Sequence, residues 1–238
     1  MKIDKNLWTW TREPNDYSIT DDRIEIITKP HTDLWQGACL PDKCTSTERI
    51  RPCATWHFLN GRLLQETDML NIELQDDQWD FEYTDHDRNI ARAIVFDDDG
   101  NFYFVRAERD DDFGKATLIE TSGGGVEEGE DLETAIKREL KEELGATVEV
   151  ICKLGVVSDY YNLIHRHNIN NYFLCKIISW GDKDLTEDEI KHFHLSTLKM
   201  TYEEAVKEYE FRSTTRLGKL VANRELPVLH SAKNILDS

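Results

Sequence analysis

The strongest constraint on what this chain can fold into is the segment Gly123-Gly124-Gly125-Val126-Glu127-Glu128-Gly129-Glu130 and the run soon after it, Lys137-Arg138-Glu139-Leu140-Lys141-Glu142-Glu143-Leu144-Gly145. Consecutive glycines give a backbone that can take positive φ and approach a ligand closely. The residues after them repeat with helical period, which predicts a helix from Leu132 to Leu144 closed by Gly145 in the C-cap position. At about 100° per residue, Glu139 and Glu143 project within the arc of Leu132, Ala135, Ile136 and Leu140, with Glu142 on its border. Lys137 and Lys141 fall on the far side, so the glutamates point toward the fold.

Negative charge is costly there. Glu139 and Glu143, one helical turn apart, repel each other, and partial burial raises the cost by keeping water away. A positive group is therefore expected among them. Glu139, Glu142 and Glu143 offer hard oxygen ligands that suit Mg²⁺ or Mn²⁺, and such ions bridge readily to phosphate oxygens. The helix N-terminus behind the glycines favours an anion, and the backbone at Gly124 and Gly125 is placed to meet a phosphate. Arg138 is positioned to orient Glu142 or to hold a loop carboxylate. Taken singly, the loop reads as a flexible connection and the helix as a solvated Glu/Lys surface; their spacing makes them one unit.

That spacing runs Gly124, five residues, Glu130, seven residues, Arg138-Glu139-Leu140, one residue, Glu142-Glu143, one residue, Gly145. It resembles the Nudix box and is complete at every Gly, Glu and Arg position. The one departure is Ala146, where the family usually carries a bulkier aliphatic side chain, with a small packing consequence expected. The resemblance implies an α+β fold, an α/β/α sandwich with a mixed sheet between helices, and the box as a loop-helix-loop. It also implies that Glu139, Glu142 and Glu143 ligate divalent cations, with Arg138 and Glu130 orienting them. The implied reaction is attack of water on a phosphorus of a nucleoside diphosphate linked to another moiety, with Glu142 or Glu143 accepting the water's proton.

The substrate is less determined. Glu120, four residues before Gly124, resembles the glutamate that precedes the box in ADP-ribose pyrophosphatases and helps hold metal there, so an ADP-ribose-like substrate is favoured. The proline that often marks that subgroup is missing, and Tyr160 and Tyr161 in Asp159-Tyr160-Tyr161-Asn162 are similar to a tyrosine of the dinucleoside polyphosphate hydrolases. Either tyrosine would stack on a base or fill a strand-end core. A nucleoside triphosphate or dinucleoside polyphosphate pyrophosphohydrolase, or a non-hydrolytic nucleotide-sensing module, are the alternatives. Arg106 and Arg109, just past a strand, are either phosphate contacts or ordinary surface arginines. Glu187, Asp188 and Glu189 are candidates for a further ligand or base, or simply an acidic helix start capped by Thr186. His165, Arg166 and His167 are assigned first to a solvated loop.

Around the box, strands are predicted at Ile90 to Phe96 and Phe102 to Val105, joined by the turn Asp97-Asp98-Asp99-Gly100, and at Thr117 to Glu120, Val148 to Ile151 and Tyr172 to Ile178. A further helix is predicted from Tyr202 to Tyr209. The catalytic domain is set at 83–238. Residues 1–82, rich in Trp and short β-like runs such as Arg23 to Thr28, read as a small β-rich N-terminal module of unassigned role. Over Leu7 to Gln36 this module resembles the opening of a bacterial family of concanavalin-like β-sandwich domains, and no function is carried over from it.

Composition limits the partners. Asp and Glu outnumber Lys and Arg by 47 to 29, a formal charge of -18 that repels long polyanions, so a small nucleotide is expected and nucleic acid is not. The N-terminus lacks an apolar signal core and no run is long enough to span a bilayer, which predicts a soluble cytoplasmic protein without a membrane partner, and a homodimer is allowed. Five cysteines fit reduced thiols better than a disulfide framework. Cys39, Cys44, Cys53 and His57 could close a tetrahedral zinc site, but their gaps depart from the usual spacing of such ligands.

Overall fold

The computed structural model describes residues 69–187 and 193–237, together with the backbone of six short strands nearer the N-terminus. Those strands are β1 (Trp8–Trp10), β2 (Tyr17–Ile19), β3 (Ile24–Ile26), β4 (Trp35–Cys39), β5 (Thr55–Leu59) and β6 (Arg62–Leu64). They pair as an antiparallel sheet in the order β1-β4-β5-β6 and as a separate β2-β3 ribbon. The chain divides into two compact units, one of residues Met1–Asp68 with Ile235–Ser238 and one of Met69–Asn234. The zinc question at Cys39, Cys44, Cys53 and His57 falls outside the residues whose side chains are described.

The second unit is built on one mixed sheet. Its strands are β7 (Leu70–Leu74), β8 (His86–Phe96), β9 (Phe102–Asp111), β10 (Gly114–Glu120), β11 (Ser122–Gly125), β12 (Ala146–Tyr161), β13 (Arg166–Trp180) and β14 (Ser196–Met200). They run in the order β10-β9-β8-β13-β12-β7, with β11 paired to β8 and β14 to β9. The pairs β8-β13 and β7-β12 are parallel, the others antiparallel. Thus Leu70–Leu74, which the sequence reading left with the N-terminal module, is a strand of this sheet.

Strand alternation sorts the core into two layers. Ala91, Ala93 and Val95 of β8, Val105 of β9, and Phe173, Cys175 and Ile177 of β13 pack on Ala135, Ile136, Leu140 and Leu144 of helix α1 (Leu132–Leu144). The intervening positions face the opposite side, where Phe102 and Phe104 meet Tyr202 and Tyr209 of helix α2 (Tyr202–Arg212). There too lies helix α3 (Arg216–Leu236), whose Glu225 accepts a hydrogen bond from Thr121 at 2.9 Å. Helices thus cover both faces, as the box resemblance implied. Residues on β8 and β13 are apolar in both directions because both strands are central, which is why they read as continuous apolar runs.

Local signals explain the ends. Asp131 caps α1, accepting from the backbone N–H of Glu133 and Thr134, and Gly145 closes it at φ 71°. Thr201 and Glu204 form a reciprocal capping box at the start of α2. The predicted turn after β8 is pinned by the Asp97 carboxylate, which accepts from Asn101, Tyr103 and Lys199. Helix α3 was not anticipated, because Gly218 and Pro227 interrupt its pattern. Ala146, the departure from the box pattern, is fully buried beside Leu144 and Val148 in the α1 layer.

Candidate active site

The glycines lie on β11, which runs antiparallel to the first half of β8 and delivers the chain to the head of α1. Gly123 has φ 143°, and a side chain there would overlap the Ala91 carbonyl oxygen on β8, so this position admits only glycine. At Gly124 the backbone is ordinary, but a Cβ would come within 2.5 Å of the Glu139 carboxylate. The glycine loop and the helix glutamates are therefore in direct apposition.

The glutamates are buried to different degrees. The Glu143 residue is 8% exposed, and the Glu139 and Glu142 side chains are 12% and 38% exposed. This is the order their helical positions predict. The Glu143 carboxylate accepts from the Ser122 hydroxyl and, at 2.9 Å, from the Gly123 N–H. Burial pushes its carboxyl up to about 7, Glu139 adds to that, and the Ser122 and Gly123 hydrogen bonds pull against it.

Arg138 ties the box together. Its guanidinium donates to both oxygens of Glu130 at 3.0 and 2.9 Å, to Glu139 at 2.8 Å, to Glu142 at 3.2 Å and to the Gly125 carbonyl at 3.1 Å. One side chain thus contacts both Glu142 and the loop carboxylate Glu130. The hydrogen bonds from Arg138 hold the Glu130 carboxyl below the usual carboxylate range. Among the described residues no three His, Cys, Asp or Glu side chains are gathered in ion-binding geometry. Glu139 and Glu142 turn to Arg138, and Glu143 turns to Ser122 and Gly123.

Glu139, Glu143, Gly124 and Gly125 line a cleft of ≈ 360 Å³. Its other walls carry Arg88 and Arg92 from β8, Arg109 from β9, Arg166 at the start of β13 and Arg224 from α3, together with Glu120, Asn168, Phe113, Tyr161 and Phe193. Of the sequence candidates, Glu120, Arg109 and Tyr161 lie here. Arg106 does not; it is paired with Glu108 at 2.6 Å, with its side chain 40% exposed. Tyr160 points elsewhere and stacks on His167 with ring centroids 4.3 Å apart. Glu187 is exposed and is not part of the cleft wall, while Asp188 and Glu189 lie outside the described residues.

Glu120 meets arginines on three sides: Arg224 at 3.0 Å, Arg92 at 3.5 Å and Arg109 at 4.0 Å. Burial would raise its carboxyl, and the three cations outweigh that and hold it below its ordinary range. Behind it, Arg224 is 1% exposed and also donates to Glu225, Asp159 and the Tyr161 hydroxyl. Sequence reasoning missed Arg88, Arg92, Arg166 and Arg224. Arg166 belongs to β13, not to a solvated loop, because the parallel pairing with β8 continues back to Arg166 opposite His86. No local pattern marks that register, since the apolar run begins only at Tyr172.

A family model described as the NUDIX domain matches residues 86–217, more than half of the chain. Comparison with curated proteins finds no match. Among solved structures the chain is similar to a NUDIX hydrolase from Nitrosomonas europaea, at 18% identity and a TM-score of 0.44 over 52% of this chain and 78% of that one. It is also similar to a MutT NUDIX hydrolase from Burkholderia pseudomallei, at 23% identity and 0.41 over 50% and 86%. A MutT protein from Methanosarcina mazei Go1 aligns at 17% identity and 0.47 over 65% and 97%. No helix among the described residues is long and apolar enough to cross a membrane. With the box complete between Gly124 and Gly145 and the domain model spanning residues 86–217, the chain belongs to the Nudix hydrolase family.

Proposed function

We propose that this protein hydrolyses a phosphoanhydride bond in a nucleoside diphosphate linked to a second moiety, using Mg²⁺ or Mn²⁺ held by Glu139, Glu142 and Glu143. The observation that carries this reading is the cleft itself: two carboxylates of the box helix open onto the same space as five arginines, in a chain of formal charge -18. Arginine concentrated in one cavity of an acidic protein is what a small polyanion requires.

The residues present fit a hard divalent ion. The Glu139 carboxylate lies over Gly124, in the space that the missing side chain leaves. The acidic oxygens of the box are met by donors, Arg138 for Glu139 and Glu142, and Ser122 for Glu143, the same polarity that a cation supplies. When bound, such an ion activates a water and offsets charge developing on the phosphoryl group. The protein's own part is to position and to move a proton. Arg138 and Glu130 fix the directions of Glu139 and Glu142, and Glu142 or Glu143 accepts the proton of the attacking water. Tyr161, Phe113 and Phe193 give the cleft an aromatic side suited to a base or sugar face.

An ADP-ribose-like compound fits this description. The residue that favoured it, Glu120, is engaged by Arg92, Arg109 and Arg224, so it supports the walls of the cleft more directly than a metal. Substrate choice therefore rests on the arginines. The test is incubation with Mg²⁺ and a panel of ADP-ribose, dinucleoside polyphosphates, NADH and nucleoside triphosphates, repeated with Glu142→Gln. Glu142 is the most exposed of the three acids, so this change alters chemistry with little effect on packing. Turnover of one class that falls by about 10²-fold or more in the variant is expected. Saturable nucleotide binding without turnover in either protein would contradict hydrolysis and favour a sensor.

A further inference from the structure

The aromatic side of the cleft is braced by a segment that precedes the matched domain. Phe113 stands in the two-residue turn that joins β9 to β10, where Asp111 is opposite Gly114. The Asp111 carboxylate accepts from the Phe113 N–H at 3.0 Å, and Gly114 leaves the turn at φ 85°. A side chain at such a tip has no backbone reason to fold inward, yet the Phe113 ring is half-buried and lines the cleft. Two rings brace it edge to face, Tyr161 with centroids 5.7 Å apart and Trp79 with centroids 5.3 Å apart. Tyr161 is buried and held by the Arg224 hydrogen bond to its hydroxyl at 2.8 Å.

Trp79 is held by its own set of contacts. It belongs to residues 75–85, a strap without helix or strand between β7 and β8 that lies before the residues 86–217 matched by the NUDIX model. The buried Asp76 carboxylate accepts from the backbone N–H of Gln78 at 2.8 Å, Trp79 at 3.1 Å and Asn162 at 2.8 Å. Asn162 Nδ2 donates in turn to the Trp79 carbonyl at 2.8 Å. The Arg216 guanidinium of α3 lies 4.1 Å from the indole centroid, and Lys219 pairs with Asp77 at 2.6 Å. Fixed in this way, the indole is a firm backing for a ring on an otherwise free hairpin tip. On the other side of that ring, the Arg109 guanidinium lies over Phe113 at 5.9 Å and over Phe193 at 5.5 Å. Both phenylalanines therefore face one space, and a planar group already sits in it at the outer range of such contacts.

We propose that Phe113 and Phe193 form the slot for the base of the substrate, and that Trp79, through its edge contact with Phe113, is the positioning residue that makes the base add to binding. This rests on the hydrolase reading above and assigns the nucleoside half of its substrate to a named part of the cleft. A base is planar and polarisable, and it stacks on a ring whose face is held toward it. Arg109 keeps its pair with Asp111 at 2.6 Å, so its charge does not depend on the rings and the base can take the place between them. The box and the arginines serve any diphosphate ester alike. The strap, which the family model does not include, decides whether a nucleoside is preferred to a base-free one.

The experiment is calorimetric titration of the full chain, with Mg²⁺ present, by the methylene-bridged analogue of ADP and by the same compound with hydrogen in place of adenine. The wild type is expected to bind the adenine compound about tenfold or more tighter. Trp79→Ala is expected to bring that preference to within about twofold of unity while leaving the base-free compound within about twofold of wild type. Phe113→Ala should erase the same preference, and the double variant should lose no more than Phe113→Ala alone, because Trp79 acts through that ring. Trp79→Phe keeps a ring against Phe113 and should hold the preference to within about threefold of wild type, and thermal melting of each variant separates a lost slot from a lost fold. Trp79→Ala weakening both compounds alike, or a double variant that loses more than Phe113→Ala, overturns the positioning role. No preference in the wild type overturns the slot even if ADP-ribose is hydrolysed. A preference lost in both variants, in a protein that turns over no nucleotide, sustains the slot and overturns the hydrolase reading.

Discussion

On the acidic side of the cleft, every group that matters falls between Ser122 and Glu143: the glycines of β11, the caps of α1 and the glutamates one turn apart. On the basic side, the arginines come from β8, β9, β13 and α3, and Arg92 and Arg224 are separated by most of the domain. The first side is a local device, set by helix period and backbone freedom within one loop-helix unit. The second exists only once the parallel pairing of β8 with β13 and the docking of α3 are in place. Substitutions within the loop-helix unit therefore act locally, whereas those in the basic wall act on contacts between separate elements. The acids belong to one local unit, and the arginines are supplied by separate elements.

The largest way to break this division is to remove the cation that anchors the basic side. Arg224→Met leaves Glu225 and Asp159 buried without their counter-charge, and a loss of about 3–5 kcal/mol is expected in denaturant unfolding. A comparable loss from any substitution on the exposed face of α1 would deny that the basic wall is the structural one.

The acidic side should show itself through pH. Glu143 has its carboxyl raised from 4.5 to about 7, so the folded protein holds that proton more tightly than the unfolded chain. Its contribution is present in full below pH 4.5 and is lost as pH rises through 7, a change of about 3 kcal/mol. Metal-free wild type is expected to lose stability over that range relative to Glu143→Gln, measured by thermal melting at a series of pH values. Saturating Mg²⁺ should remove the difference. Parallel curves for the two proteins would contradict the buried carboxyl.

Two adjacent glycines separate fold from site. Gly123→Ala forces a side chain into φ 143° and against the Ala91 carbonyl, and a cost of about 1–3 kcal/mol is expected. Gly124→Ala meets only the Glu139 carboxylate, so turnover should fall about tenfold with the melting temperature nearly unchanged. If Gly124→Ala instead melts early while turning over normally, the apposition of glycine loop and helix acid has no catalytic meaning. The smallest effect is a control on the basic side: Arg106→Ala, outside the cleft and paired with Glu108, should shift stability by less than about 0.5 kcal/mol and leave KM unchanged.

How much of this could be read from the chain follows the same split. Helix α1 and its two caps are encoded within their own residues, and the central strands announce themselves as apolar runs. The layered fold and the placement of Glu139, Glu142 and Glu143 were legible for that reason. Helix α3 was hidden by Gly218 and Pro227, and with it Arg224 and Glu225, which look like surface charges until the helix is docked. Arg166 and Asn168 precede the apolar part of β13, and their place depends on pairing with residues near Arg88, a relation between distant segments that no local period reports. Tyr160 and Tyr161 show the limit in miniature: adjacent on β12, they face opposite ways, and only Tyr161 lines the cleft.

Diffraction from crystals soaked in Mn²⁺, collected at the manganese absorption edge, asks whether the box acids hold a divalent ion beside the glycine loop. An anomalous peak within coordination distance of the Glu139, Glu142 and Glu143 carboxylates, lost in Glu142→Gln or Glu143→Gln, is the expected result. Full Mn²⁺ occupancy elsewhere, with Glu139 and Glu142 still bound to Arg138, would contradict it.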